Sequence, residues 1–350
     1  MMQRKVTLPL SDAPINSILA EDIIDHYNQT LLAVGTILSP ESINLLKNHN
    51  IQKVTLFQET RPKTTASSEM ITSSNFNQEL TDVLGNEVLV IFNASKDIEI
   101  KNDKITNIIR KVIDSLSHKK PLLHLIDTND QQDELAQHHV NVSLFALTIG
   151  LAMGIPRDDL CILGVGSLLH DIGKTQVSLK SLNKPPKLTV SEYANSKDHV
   201  SFGYNILKQN LELDYRIPLM ALQHHERCNG HGYPWGITES QIDPLAQILA
   251  IADVYESLTS NRSYRTRYSA EKAIKLINNS TGPFNKEVLR VFNNIVVPYN
   301  IGEDVQLSNG LTGKVIGLNS ANLRKPKVFT SEGKYNLINE PKINIVSTIT

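Results

Sequence analysis

Seven of the eleven histidines of this chain lie between positions 138 and 231, on segments whose apolar residues recur at helical spacing. No other feature constrains the fold as much, because several helices must converge for these imidazoles to meet. HHVNVSLFALTIGLAMGI, DLCILGVGSLLHDI, RIPLMALQHHE and PLAQILAIADVYESLTSN carry the pattern, and ITNIIRKVIDSLS precedes them. In LTVSEYANSKDHVSFGYNIL, Thr189 and Glu192 stand at capping-box spacing, which places His199 in the middle of a helix. Imidazole and carboxylate together suit a borderline divalent metal such as Fe, Mn or Zn.

Placement along the helices sharpens this. Glu134 and His138 are four residues apart and share one helical face. His170 and Asp171 close their helix as neighbours that diverge by about 100°, so they reach two sides of a cluster, and His224 and His225 repeat the device. Asp253 lies in the apolar helix ILAIADVYESL, where an unpaired carboxylate costs several kcal/mol. Singly, each has an ordinary alternative as a paired, capping or surface residue. Together they bring ligand-type side chains from five expected helices to one domain.

The rest of the chain is organised around that domain. Residues 1–58 read as a small α+β accessory domain, with a strand pair, a helix capped by Ser39 before Pro40, and the strand KVTLF. Residues 59–79 have the Ser/Thr-rich composition of a linker. Residues 80–300 form the helical domain, and 301–350 a β-rich appendage in which Asn309-Gly310 joins two alternating runs. The expected class is mainly α.

Composition excludes several functions. A formal net charge of -1 argues against a polycation built for DNA or RNA, while leaving room for a local basic pocket. Cys161 and Cys228 are the only cysteines, too few for a disulfide framework or a CxxC zinc signature. MMQRKVTLPLSDAP has no apolar run of signal-peptide length behind its basic residues. The longest apolar stretches fall short of the roughly 20 residues that span a bilayer. A cytoplasmic protein without membrane insertion is expected.

HDIGK (170–174), HHERCNGHGYP (224–234) and ADVYESLTSNRSYR (252–265), in that order, resemble the HD-GYP family, a branch of the HD-domain metal phosphohydrolases whose usual substrate is cyclic di-GMP. The resemblance covers about 100 to 300. It implies that His138, His170, Asp171 and Asp253 form the basic ligand set and that His199, His224 and His225 hold further metal. Glu134 matches a glutamate found in members with three metals, so two or three ions per chain are implied, iron or manganese first. The chain departs from the family at Ser263, where proline is frequent, and at His139, where serine is frequent; neither position is expected to touch a ligand. His231 falls at a variable loop position.

The chemistry follows from charge. Adjacent metals about 3.5–4 Å apart can acidify a bridging water and coordinate phosphate oxygens. Asp171 is the candidate bridge, and a metal-bridging hydroxide the expected nucleophile. Lys174 can neutralise a phosphate oxygen or complement a helix dipole. Tyr233, on its Gly-Tyr-Pro turn, can face a nucleotide or pack the loop down. Arg262 and Arg265 offer forks for phosphate or guanine, or form a solvated charged run. Glu226 and Arg227 are expected to orient ligands. The resemblance implies a phosphodiesterase that opens cyclic di-GMP to pGpG or onward to GMP. A weakly catalytic cyclic di-GMP sensor, an enzyme for cyclic GMP-AMP, and a homodimer stay open.

Overall fold

The computed structural model describes residues 5–13, 17, 19–25, 30–36, 38–57, 78–93, 102–117, 122–123, 133–177, 189, 195–210, 212–260, 267–280 and 282–349. The chain divides into two compact units, 1–67 with 299–350, and 68–298.

In the first unit, β1 (Lys5–Pro9) pairs antiparallel with β4 (Lys53–Phe57), and β2 (Ile23–Ile24) with β3 (Thr30–Leu32). Between them runs α1 (Pro40–Asn48). Its capping box is closed by Ser39 and Ser42, with Pro40 opening the first turn. Leu19, Leu38, Leu46 and Leu56 form its core. A five-stranded antiparallel sheet has the order β8-β7-β6-β5-β9, from β5 (Asp304–Leu307), β6 (Thr312–Gly317), β7 (Lys327–Thr330), β8 (Gly333–Asn336) and β9 (Ile345–Ile349). Asn309-Gly310 turns between β5 and β6 as expected, with Gly310 at φ 89°. The two ends of the chain meet in this unit, where Gly35 lies against the Phe329 ring.

The second unit is helical: α2 (Gln78–Asn93), α3 (Asn102–Ser117), α4 (Glu134–Met153), α5 (Arg157–Leu169), α6 (His199–Lys208), α7 (Arg216–Gln223), α8 (Pro244–Thr259), α9 (Ala270–Asn279) and α10 (Lys286–Ile295). Helix α4 is buried on every side from His139 to Gly150, so it forms the axis of the domain. Asp133 caps its first turn, and Gly154, in the left-handed region at φ 74°, ends it. Helices α5 and α8 pack directly on α4. Helix α8 is nearly as buried and starts at Pro244, with Asp243 as its cap. Among the described residues no helix is long and apolar enough to cross a membrane.

Two local details differ from the sequence reading. His199 opens α6 instead of lying mid-helix: a turn at Asp198 separates it from 195–197, and the Ser196 carbonyl accepts its ring proton. The Thr189–Glu192 capping box falls partly outside the described residues, because 190–194 are not described.

Candidate metal centre

The second turn of α4, the ends of α5 and α7, the start of α6 and the middle of α8 supply the site. The end of α5 delivers His170 and Asp171 into a short 3-10 turn, Ile172–Gln176. That turn lies close enough to α6 that a Cβ on Gly173 would overlap the His199 carbonyl oxygen and the Gly203 nitrogen. Glycine is required by this approach of two backbones.

Asp171, 2% exposed, is the centre of the arrangement, and its two oxygens face different groups. Oδ1 lies 3.2 Å from His199 Nε2 and 3.6 Å from His224 Nε2. Oδ2 lies 3.4 Å from His170 Nε2 and 3.7 Å from His138 Nε2. Asp253 Oδ1 stands 3.7 Å from His138 Nε2 and 3.9 Å from His170 Nε2. Two potential ligand sets result, Asp171 with His199, His224 and His225, and Asp171 with His138 and His170, the latter approached by Asp253. Lys174 Nζ pairs with Asp171 Oδ2.

The imidazoles are already oriented. Nδ1 of His170, His199 and His224 lies 2.7, 2.6 and 2.9 Å from the carbonyls of Ser167, Ser196 and Ala221, each three residues earlier. A carbonyl can only accept, so the proton sits on Nδ1 and the Nε2 lone pair faces the cluster. His170 Nε2 and Asp171 Oδ1 are buried without hydrogen-bond partners, an arrangement that is costly unless a cation satisfies them. The residues present therefore fit a divalent metal.

The electrostatics agree. Burial alone would raise the Asp171 carboxyl, but the Lys174 charge, with the imidazoles of His170 and His138 beside it, holds it well below the usual carboxylate range. Asp253 is likewise lowered against its burial by His170 and His138. Burial carries His224 down to about 4, helped by His170 and opposed by Asp171. His225 falls well below its ordinary value through burial and the neighbouring His224. Neutral imidazoles beside ionised carboxylates are the forms in which these groups ligate metal.

His138 behaves differently because of Glu256, which the sequence reading did not single out. Burial pushes the His138 imidazole down, but the Glu256 charge, the nearby Asp171 carboxylate and the hydrogen bond to Glu256 outweigh it and raise the ring to about 9. Nδ1 of His138 lies 2.5 Å from Glu256 Oε2, and Ser260 Oγ donates to Glu256 Oε1 at 2.6 Å. Glu256 is 2% exposed and sits three residues after Asp253 on α8. A buried glutamate on the ring nitrogen that points away from the cluster fixes ligand orientation. Glu256→Gln is expected to weaken metal retention by about 10–100-fold, measured by dialysis against a chelator of known affinity.

A pH dependence follows from the same pair. The folded-state pKa of His138 lies above its ordinary 6.5, so its contribution to stability in the chelated chain is complete below pH 6.5 and lost as pH rises through about 9. His224 works oppositely: lowered to about 4, it favours the folded chain above pH 6.5 and loses that contribution as pH falls toward 4. Metal must displace a proton from His138. Titrating metal in weak buffer at neutral pH should release about one proton per chain from this residue, a release that vanishes above pH 9.

The remaining predicted residues divide. Tyr233 stacks on His225 with centroids 4.7 Å apart, and Lys197 Nζ lies 5.0 Å from the Tyr233 ring centroid. Glu134 is exposed at the start of α4, one turn from His138, and belongs to neither ligand set. Arg262 and Arg265 lie outside the described residues, in 261–266. His231 is exposed.

Two expectations need correction. His139 does meet the ligands: its buried ring lies 5.0 Å from His170 and 5.2 Å from His138 by centroid, against Phe92 at 4.4 Å. The reason is that α4 is enclosed on all sides, so the residue beside His138 is also turned inward. Glu226 holds the following loop instead of a ligand ring, accepting the backbone N–H of Trp235, Gly236 and Ile237. Arg227 donates to the His224 carbonyl and so braces the ligand pair through its backbone.

An HD domain family model matches residues 114–288, half of the 350-residue chain, and the chain belongs to that family, in its HD-GYP branch. Cyclic di-GMP phosphodiesterase PA4108 of Pseudomonas aeruginosa is 33% identical over 213 residues, 61% of this chain and 51% of that protein. The 3'3'-cGAMP-specific phosphodiesterase 3 of Vibrio cholerae is 32% identical over 142 residues, 41% of this chain and 31% of that protein. The chain thus spans about half, or less, of the length of these relatives. Bd1817, an HDG"Y"P protein from Bdellovibrio bacteriovorus, shares the fold with a TM-score of 0.54 at 18% identity, over 83% of this chain and 99% of that one.

Proposed function

We propose that the chain is a metal-dependent phosphodiesterase that opens cyclic di-GMP to linear pGpG and carries part of it on to GMP. The observation that carries this reading is Asp171, whose two oxygens address two imidazole groups. A carboxylate so placed suits a pair of adjacent ions. Bound divalent ions would supply Lewis acidity and an acidified water to the phosphodiester. The cysteine-free donor set favours iron or manganese, and Glu134, one turn before His138, would add a ligand for a third ion.

The chain's own residues do the rest. Asp171 holds both ligand groups to one centre. Lys174 already pairs with that carboxylate, so its cation stands where charge grows on a non-bridging phosphate oxygen. Tyr233, clasped against His225, faces the nucleotide from the loop, and Arg262 and Arg265 would meet phosphate or guanine. The match to a cGAMP-specific phosphodiesterase favours cyclic GMP-AMP as the second reading.

Both are tested by purifying the chain without oxygen, measuring its metals, and following turnover of cyclic di-GMP against 3'3'-cyclic GMP-AMP. Faster hydrolysis of cyclic di-GMP by the metal-loaded chain is expected. Metal without hydrolysis of either would leave a sensor, and no metal would overturn the reading.

A further inference from the structure

Trp235 is the only tryptophan of the chain, and it is 60% exposed. Single exposed apolar side chains are common on protein surfaces, and what sets this ring apart is its support. Its support is rigid. Its backbone N–H donates to Glu226 Oε1 at 2.7 Å, and the same buried carboxylate accepts the next two backbone N–H groups at 3.2 Å each. The base of the loop is closed by a bridge between Asn229 and Thr238. At Gly232 a Cβ would overlap the backbone of Glu226 and Arg227, so the loop is pressed onto the segment that carries the histidine pair.

The position of this platform is fixed from two directions. Two residues earlier, Tyr233 stacks on His225, and its N–H donates to the His225 carbonyl at 3.2 Å. Through Glu226, the Trp235 backbone is bonded to the residue directly after His225. The Trp235 backbone is therefore tied to the segment that carries the histidine pair. In a nucleotide the base is one ribose away from the phosphate, so a group that receives the base must be carried close to the metal ligands. A single indole between Pro234 and Gly236 is a flat platform, where a protein partner would call for a contiguous apolar patch.

We propose that Trp235 is a base-stacking residue, whose exposed indole on the braced loop beside His225 receives a purine base of the nucleotide substrate. This rests on the phosphodiesterase reading for its substrate, though the stacking itself can be observed without turnover. Indole and purine faces stack with little dependence on base identity, so Trp235 contributes affinity for purine nucleotides and leaves the choice between guanine and adenine to other groups.

Because Trp235 is the sole tryptophan, its fluorescence reports the contact directly. The full chain, held in chelator so that nothing turns over, is titrated with cyclic di-GMP, with GMP, and with ribose 5-phosphate as a base-free control. Saturable quenching by the two nucleotides and none by ribose 5-phosphate is expected. In the metal-loaded chain, Trp235→Ala should raise KM for the cyclic dinucleotide by about tenfold or more with kcat falling far less, and Trp235→Phe should recover most of the loss. Turnover with a KM that Trp235→Ala does not change would overturn the proposal and leave the phosphodiesterase reading standing. Quenching by GMP in a chain that hydrolyses no cyclic dinucleotide would do the reverse. Fluorescence unmoved by any purine nucleotide would also overturn it.

Discussion

Asp171→Ala is expected to abolish both metal retention and cyclic dinucleotide hydrolysis. The loss should go well beyond the roughly 10–100-fold that removal of an orienting partner costs a metal site. Each of its oxygens serves a different imidazole group, so one substitution uncouples both. The fold should survive. Lys174 loses its partner, but its side chain is 35% exposed and can turn into water. Asp171→Asn separates shape from charge: it keeps the volume and still loses the ion. Metal analysis, hydrolysis and far-ultraviolet circular dichroism together decide the matter. A variant that keeps its metals and its turnover would sink the bridging role.

Gly173→Ala should have the second largest effect, through backbone geometry alone. The added methyl would overlap the His199 carbonyl oxygen and the Gly203 nitrogen, and neither is a side chain that can swing aside. Overpacking usually costs about 1–3 kcal/mol where side chains can yield, and here the expected cost is about 3 kcal/mol or more. Relief requires α6 to move, which carries His199 away from Asp171. Loss of metal should accompany the fall in denaturation midpoint. Gly203→Ala, on the facing helix, is the control: the nearest atom to its new Cβ would be at 3.4 Å, so the neighbour gives slightly and the helix gains propensity. Equal stability of the two variants would refute the argument.

Much of the site was legible in the sequence because metal ligands are chemically rare on apolar helices. His170, Asp171, His224 and Asp253 stood out against residues that otherwise build a core, and the structure brings them together. Helix ends were legible where the capping chemistry is local, as at Ser39 and Pro40. Glu256 was not, since a glutamate on a helix ordinarily faces water and its partner His138 lies 118 residues away. His139 was misjudged for a related reason, because only the enclosure of α4 turns both neighbours inward. The loop-holding role of Glu226 depends on backbone donors at 235–237, and no residue type announces a backbone donor. Gly173 could be seen in HDIGK, but the helix it presses against could not.

The three histidines whose Nδ1–H is engaged three residues upstream lead to a last consequence. Those contacts lie within one turn of chain, so each ring can adopt its working tautomer before the helices have assembled. Spacing between the rings, by contrast, is set by packing across the whole unit. On gentle denaturation the ligands should therefore remain individually competent while the distances between them drift. Metal should leave before helicity does, and bound metal becomes a gauge of how faithfully the bundle is closed.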